Sequence, residues 1–294
     1  MTFVRSANQS ATVGSAAAGR RLVAVQSAVS LAVMLAVSSA MTLMSSVPAG
    51  ASPSTADSYG PYSVWSWLVT FGIVLLLLLF GIRSVRGTRL IGAVLSLVVL
   101  LGISYDANVL LGPAAAVVSF CLGTAIYYGR PRVVTYDLLL CLGMAGVGAA
   151  VGVSLDPTVL LLVLGLLSAY DLAATSLSGL TVRLGRRLLR RRAFFAFIYP
   201  LRPNGLTVRV SDLPTDGRFA CLDVVDLALP TVFVVSALWH VGPVAGLASA
   251  VGGLIGLSLS ATLPSRDGSG GLYPTLPTTV LGLAAGYLAA IFIP

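Results

Sequence analysis

Residues 157–178 read PTVLLLVLGLLSAYDLAATSLS, an almost unbroken apolar run with one charge, Asp171. A helix needs about 20 apolar residues to cross a bilayer. Asp156-Pro157 ahead of the run supplies an N-cap and a proline for the first turn. The stretch predicts a membrane helix that carries a carboxylate. Eight more runs of this kind lie on either side, at roughly 22–46, 62–82, 90–104, 109–128, 133–153, 219–240, 242–263 and 274–293. The third is short. The expected fold is therefore all-α: one polytopic membrane domain of nine transmembrane helices. No soluble domain is left over, since the longest polar interval is only about 181–218.

Composition agrees. Of the 294 residues 57% are hydrophobic and 10% charged. A soluble domain carries about 25% charged residues, so disordered, coiled-coil and nucleic-acid-binding readings drop out. The charged groups are 18 Arg and 10 Asp, with no Lys and no Glu, for a net charge of +8. With nine spans, every arginine falls on one side. The other side carries Asp57, Asp106 and Asp156. Cytoplasmic segments of membrane proteins are rich in Lys and Arg. The N-terminus and residues 181–218 are thus expected in the cytoplasm and the C-terminus outside. Residues 1–21 read as a cytoplasmic tail, 22–154 as helices one to five, and 155–294 as helices six to nine. Arg20-Arg21, an apolar run and Ala49-Gly50-Ala51 also resemble a secretory signal. The run is about 24 residues, longer than the typical 7–15 of a signal core, so a retained span is the expectation.

Within the 181–218 interval, residues 182–192 set apolar residues against arginines, as in a helix lying on the membrane surface. Residues 193–210 alternate weakly around Asn204-Gly205, a hairpin turn signal; a solvated linker fits equally. Cys121, Cys141 and Cys221 are odd in number and scattered, which excludes a disulfide framework or a CxxC metal site and reads as core thiols. His240 is the one histidine, so no Ser-His or His-metal site can be built. No cofactor and no metal are expected.

A carboxylate inside a span costs about 2.5–3.5 kcal/mol on insertion scales, so it is a functional candidate. Four qualify: Asp137, Asp171, Asp223 and Asp226. Asp137, five residues into its span and near Arg132, reads as an interfacial polar group. Asp171 and Asp226 lie on consecutive antiparallel spans, each about eight residues from the same boundary. Two carboxyls at matched depth in a poor dielectric cannot both ionise cheaply, and share one proton. Aspartic proteases work in that state, one carboxylate activating water and the other acid polarising a carbonyl. A proton or cation pathway would place such pairs the same way. Pro274-Thr275-Leu276-Pro277 opens the last span; on composition alone it is an ordinary helix start with proline near its first turn.

Taken in order, Tyr170-Asp171, Asp226-Leu227-Ala228-Leu229-Pro230 and Pro274-Thr275-Leu276-Pro277 resemble the GxGD intramembrane aspartyl proteases, the presenilin and signal peptide peptidase family and its archaeal homologues. That family has nine spans, with Tyr-Asp on the sixth, Gly-x-Gly-Asp on the seventh and Pro-Ala-Leu-Pro at the ninth. The resemblance implies that Asp171 and Asp226 are catalytic and that Tyr170 packs or hydrogen-bonds beside them. It also implies that Pro274, Thr275, Leu276 and Pro277 shape the cleft and hold substrate backbone. The implied reaction is hydrolysis of peptide bonds within transmembrane helices of other proteins, in the bilayer, without nucleic acid. The motif is degenerate: Asp223 and Val225 stand where the family has glycines. Asp223 would lie about 60° around the helix from Asp226 and add a third carboxyl. The alternatives are an inactive family member that binds membrane helices and a cation or proton transporter. Gly148–Gly152 and Gly252–Gly256 have GxxxG spacing and are expected to pack helices internally; the oligomeric state is not legible.

Overall fold

The computed structural model describes residues 3–44, 85–129, 131–177, 196–201, 203–213, 219–262 and 275–292. These form eight α-helices and one two-stranded sheet: α1 (Phe3–Met44), α2 (Val85–Leu111), α3 (Pro113–Tyr128), α4 (Val133–Gly152), α5 (Pro157–Leu177), β1 (Ala196–Pro200), β2 (Phe219–Asp223), α6 (Val225–His240), α7 (Pro243–Thr262) and α8 (Thr275–Phe292). Among the described residues, five helices are long and apolar enough to cross a membrane, and α3, α5 and α6 are shorter apolar helices. The expected spans at 22–46, 90–104, 109–128, 133–153, 158–178, 242–263 and 274–293 each coincide with a helix. The one at 62–82 lies outside the described residues, as does the expected surface helix at 182–192. α1 begins at Phe3, so most of the residues read as a tail continue the first helix.

The helices turn their apolar side chains outward as well as inward. Val117, Val244, Leu247 and Leu281 are each exposed by 64% or more, the pattern of helices surrounded by lipid rather than water. Inside, Leu31, Met34, Leu140, Leu164, Phe233 and Leu283 are fully buried. Small residues set the spacing. A Cβ added at Gly252 would stand 2.1 Å from the Gly282 carbonyl, and one at Gly256 2.2 Å from that of Thr278. Only glycine lets α7 and α8 touch backbone to backbone there. Gly148 and Gly152 meet Thr231 and Val232 of α6 in the same close manner. Both GxxxG spacings therefore pack inside the chain.

Four expectations are corrected. Residues 219–223 are strand, not the start of a span: Phe219–Asp223 pairs antiparallel with Ala196–Pro200, with Ile198 opposite Cys221. Asn204-Gly205 does not turn the hairpin, because it lies in a short 3-10 turn, Pro203–Thr207. Asp106, read as an external loop residue, lies inside α2 and is 7% exposed. Its helix runs on to Leu111 and ends at Gly112, whose φ of 90° precedes Pro113. The thiols divide: Cys141 is buried, Cys221 half-buried and Cys121 exposed, so Cys121 is no core thiol.

Candidate active site

The site is built where α5, α6 and α8 pack together. α5 starts as its sequence requires: the Asp156 carboxyl accepts hydrogen bonds from the backbone N–H of Thr158 at 2.7 Å and of Val159 at 3.4 Å. Four turns later it presents Asp171, half-buried. Tyr170, expected to pack beside the pair, is 61% exposed.

Asp226 lies in the first turn of α6. Residues 219–223 are extended, so Asp226 does not stand eight helical residues in from the boundary expected near residue 219. A strand residue rises about 3.3 Å against 1.5 Å in a helix. The strand-to-helix turn places Asp226 where unpaired backbone N–H groups favour a negative charge. Asp223 closes β2, so it does not share a helical face with Asp226. Its Oδ1 accepts the Val225 N–H at 3.2 Å, supplying the cap that Val224 lacks. Val225 is 44% exposed, so its branched side chain lies outside the packed core.

The third part comes from α8. Thr275, its first residue, donates its Oγ1 hydrogen to Asp226 Oδ2 at 2.5 Å. Thr275 and Leu276 are buried, at 7% and 4% exposure. Pro277 falls in the first helical turn, where its missing N–H costs nothing, so the helix runs regularly through it. Pro274 lies outside the described residues. The close contact of Gly256 with Thr278 fixes where this turn sits, and so where the Thr275 hydroxyl points.

Asp171, Asp223 and Asp226 are near enough to interact electrostatically: Asp226 feels both other carboxyls, and Asp223 feels Asp171. Asp223 is exposed by area, yet protein atoms crowd its carboxyl and displace water. That crowding pushes its pKa above the ordinary carboxylate value, and the charge of Asp171 pushes the same way. Three carboxyls, one of them hydrogen-bonded to a buried hydroxyl, can hold and pass protons and can activate a water. Among the described residues, no group of three or more His, Cys and carboxylate side chains is placed to hold a metal ion. Asp137 stands apart and bonds to Ile198.

Two solved structures share this fold, each described as a presenilin family intramembrane aspartate protease. One, in space group P2, is 22% identical, with a TM-score of 0.58, and the match covers 92% of this chain and 97% of that one. The other, in C222, is 21% identical, with a TM-score of 0.59, and the match covers 92% and 99%. No family model and no curated protein matches the sequence. The likeness is one of fold: the chain is folded as a presenilin-like membrane protein.

Proposed function

We propose that the chain is an intramembrane aspartyl endopeptidase of the presenilin and signal peptide peptidase family, cutting peptide bonds within transmembrane helices of other proteins. The observation that carries this reading is the hydrogen bond from Thr275, at the start of α8, to Asp226, a carboxyl that also feels Asp171 on α5. Asp171, Asp226 and Thr275, one from each sequence element that resembles a family motif, come from three different helices, which supports the reading.

In this reading Asp171 and Asp226 share one proton. The ionised member takes a proton from water as its oxygen attacks the scissile carbonyl carbon. The protonated member donates to the carbonyl oxygen. Collapse of the tetrahedral intermediate breaks the C–N bond; the leaving nitrogen takes the proton removed from water, and the other carboxyl recovers its proton from the intermediate's hydroxyl. Thr275 orients Asp226, and Leu276 and Pro277, with Pro274, shape the wall against which substrate backbone lies. The chain has nine spans, with the N-terminus and residues 181–218 in the cytoplasm and the C-terminus outside, as the arginines favour. Substrates would then have their N-termini outside. A Cys placed at Asn204 should be labelled only from the cytoplasmic side.

Asp223 and Val225, in place of the family's glycines, support a second reading: a helix-binding protein without hydrolytic activity. One experiment separates the two. Purified protein in liposomes is given a helical reporter, alongside Asp171→Ala and Asp226→Ala. Cleavage by wild type and none by either variant supports the peptidase. A wild type that binds the reporter and cuts it at no pH supports the second reading.

A further inference from the structure

The segment between α5 and α6 is fastened to the start of α4 at two places. Val133 donates its N–H to the Val208 carbonyl at 2.9 Å and Val210 donates to that of Pro131 at 3.0 Å, so that Arg132 and Arg209 form an isolated antiparallel bridge. One turn further along α4, Asp137 Oδ1 accepts the N–H of Ile198 at 3.0 Å. Ile198 is the middle residue of β1, and its side chain is fully buried. Its N–H points to the free edge of the strand, away from β2. A buried strand-edge N–H must find an acceptor, and among the described residues the sheet has two strands, so no third strand supplies one. Asp137 does. It also acts electrostatically on Tyr199 of β1 and on Cys221, which stands opposite Ile198 on β2.

From Cys221 the chain runs two residues to the end of β2, and Asp226 follows in the first turn of α6. The strand pair is therefore the mount on which the α6 carboxyl stands. β1 is held to the bundle by its buried Phe197, Ile198 and Tyr199 side chains and by the Asp137 bond at its edge. We infer that Asp137 is a positioning residue: by bonding Ile198 it fixes the β1–β2 pair, and through β2 it sets where Asp226 and Asp223 stand relative to Asp171. The inference rests on the peptidase reading for its effect on rate, but the hold on the strands is independent of it.

The role needs a hydrogen-bond acceptor at this position, not a charge. Asn keeps a side-chain oxygen of the same reach, whereas Ala and Leu keep none. Leu also fills the space and suits a membrane helix better than Asp, so Asp137→Leu inserts even where Asp137→Ala folds poorly. Cys221 reports on the strands. Burial pushes its thiol up to about 12, so maleimide labels it slowly while the pair is held.

The test uses the full chain in liposomes. Cleavage of a helical reporter is measured as kcat and KM, and maleimide labelling of Cys221 is followed by mass spectrometry, which resolves each thiol. Asp137→Ala and Asp137→Leu are expected to lower kcat about tenfold with KM within about twofold, since a misplaced group costs rate rather than binding. Both should label Cys221 about fivefold faster or more, and Asp137→Asn should stay close to wild type in both readouts. Unchanged kcat in the Leu variant overturns the inference, as does an Asn variant as defective as Leu, or a change confined to KM. A wild type that cuts nothing removes the peptidase reading. Labelling then decides the hold on the strands: faster labelling in Leu but not Asn supports it, and equal labelling overturns it.

Discussion

Asp171 and Asp226 are the same chemical group in two different settings. Asp171 rides within a helix, α5, whose apolar sequence runs past it without interruption, beside a tyrosine that is 61% exposed. Asp226 stands on a constructed mount: a paired strand before it, a helix N-terminus around it and a hydroxyl from a third helix against it. One member of the pair lies well inside a continuous helix; the other stands at a helix start, between a strand and a hydroxyl from a third helix. In a two-carboxyl mechanism the members change roles by exchanging a proton. The structural difference therefore bears on which side tolerates change, while both carboxyls remain indispensable.

The largest effect should show that equality. Asp171→Ala and Asp226→Ala should each reduce reporter cleavage by about 10⁴-fold or more, as for members of other catalytic groups that act as a unit. A variant of either that still cuts at a tenth of the wild-type rate breaks the pairing. Next is the bond peculiar to the Asp226 side. Thr275→Val keeps the shape and loses the donor. A hydrogen bond to a charged group contributes about 1.5–3 kcal/mol, so kcat should fall about 10- to 100-fold, and Thr275→Ser should recover most of it. Equal rates for Val and wild type would mean that the hydroxyl does not orient the carboxyl.

A smaller change concerns the absent glycines. Val225→Gly opens space beside Asp226 and should raise turnover of a helical substrate a few-fold, at some cost in stability, because Gly is about 1 kcal/mol less favourable than Ala in a helix. Adding Asp223→Gly removes a neighbouring negative charge. The remaining pair then ionises more readily, and the pH–rate profile should move toward acid. A profile that stays in place, or moves toward base, would detach Asp223 from the site. The smallest effect belongs to the Asp171 side: Asp156→Ala removes the cap of α5 and should cost about 1 kcal/mol in unfolding, leaving kcat unchanged.

The two sides also differed in what the sequence made legible. The α5 side was readable almost residue by residue, because an uninterrupted apolar run, an Asp-Pro start and a lone carboxylate are local signals. On the other side, the helix bearing Thr275 and the motif order were readable, but the strand was not. Phe219-Ala220-Cys221-Leu222 is as apolar as the helix that follows, and nothing within it tells a span from a buried strand. Its pairing is settled by β1, some twenty residues earlier in the chain. Tyr170 was placed by resemblance alone, and its side chain faces outward. Asp137 was read as a polar group near the membrane surface because its partner is a backbone N–H, which no side-chain pattern announces. Asp106 was misplaced because α2 extends seven residues beyond its expected end, residue 104.

α6 has 16 residues. At 1.5 Å each it is about 24 Å long, some 6 Å less than a typical hydrocarbon core of about 30 Å. If its far end sits at one face of the bilayer, the shortfall collects at the end that bears Asp226. A helix too short for its membrane is accommodated by local thinning of the lipid, at a cost that grows with every ångström of mismatch. The lipid around α6 is then drawn in toward the carboxyl, and a thicker bilayer strains that arrangement where a thinner one relieves it. Acyl-chain length thus becomes a mechanical input to the site, felt at Asp226 and scarcely at the 21-residue helix that carries Asp171.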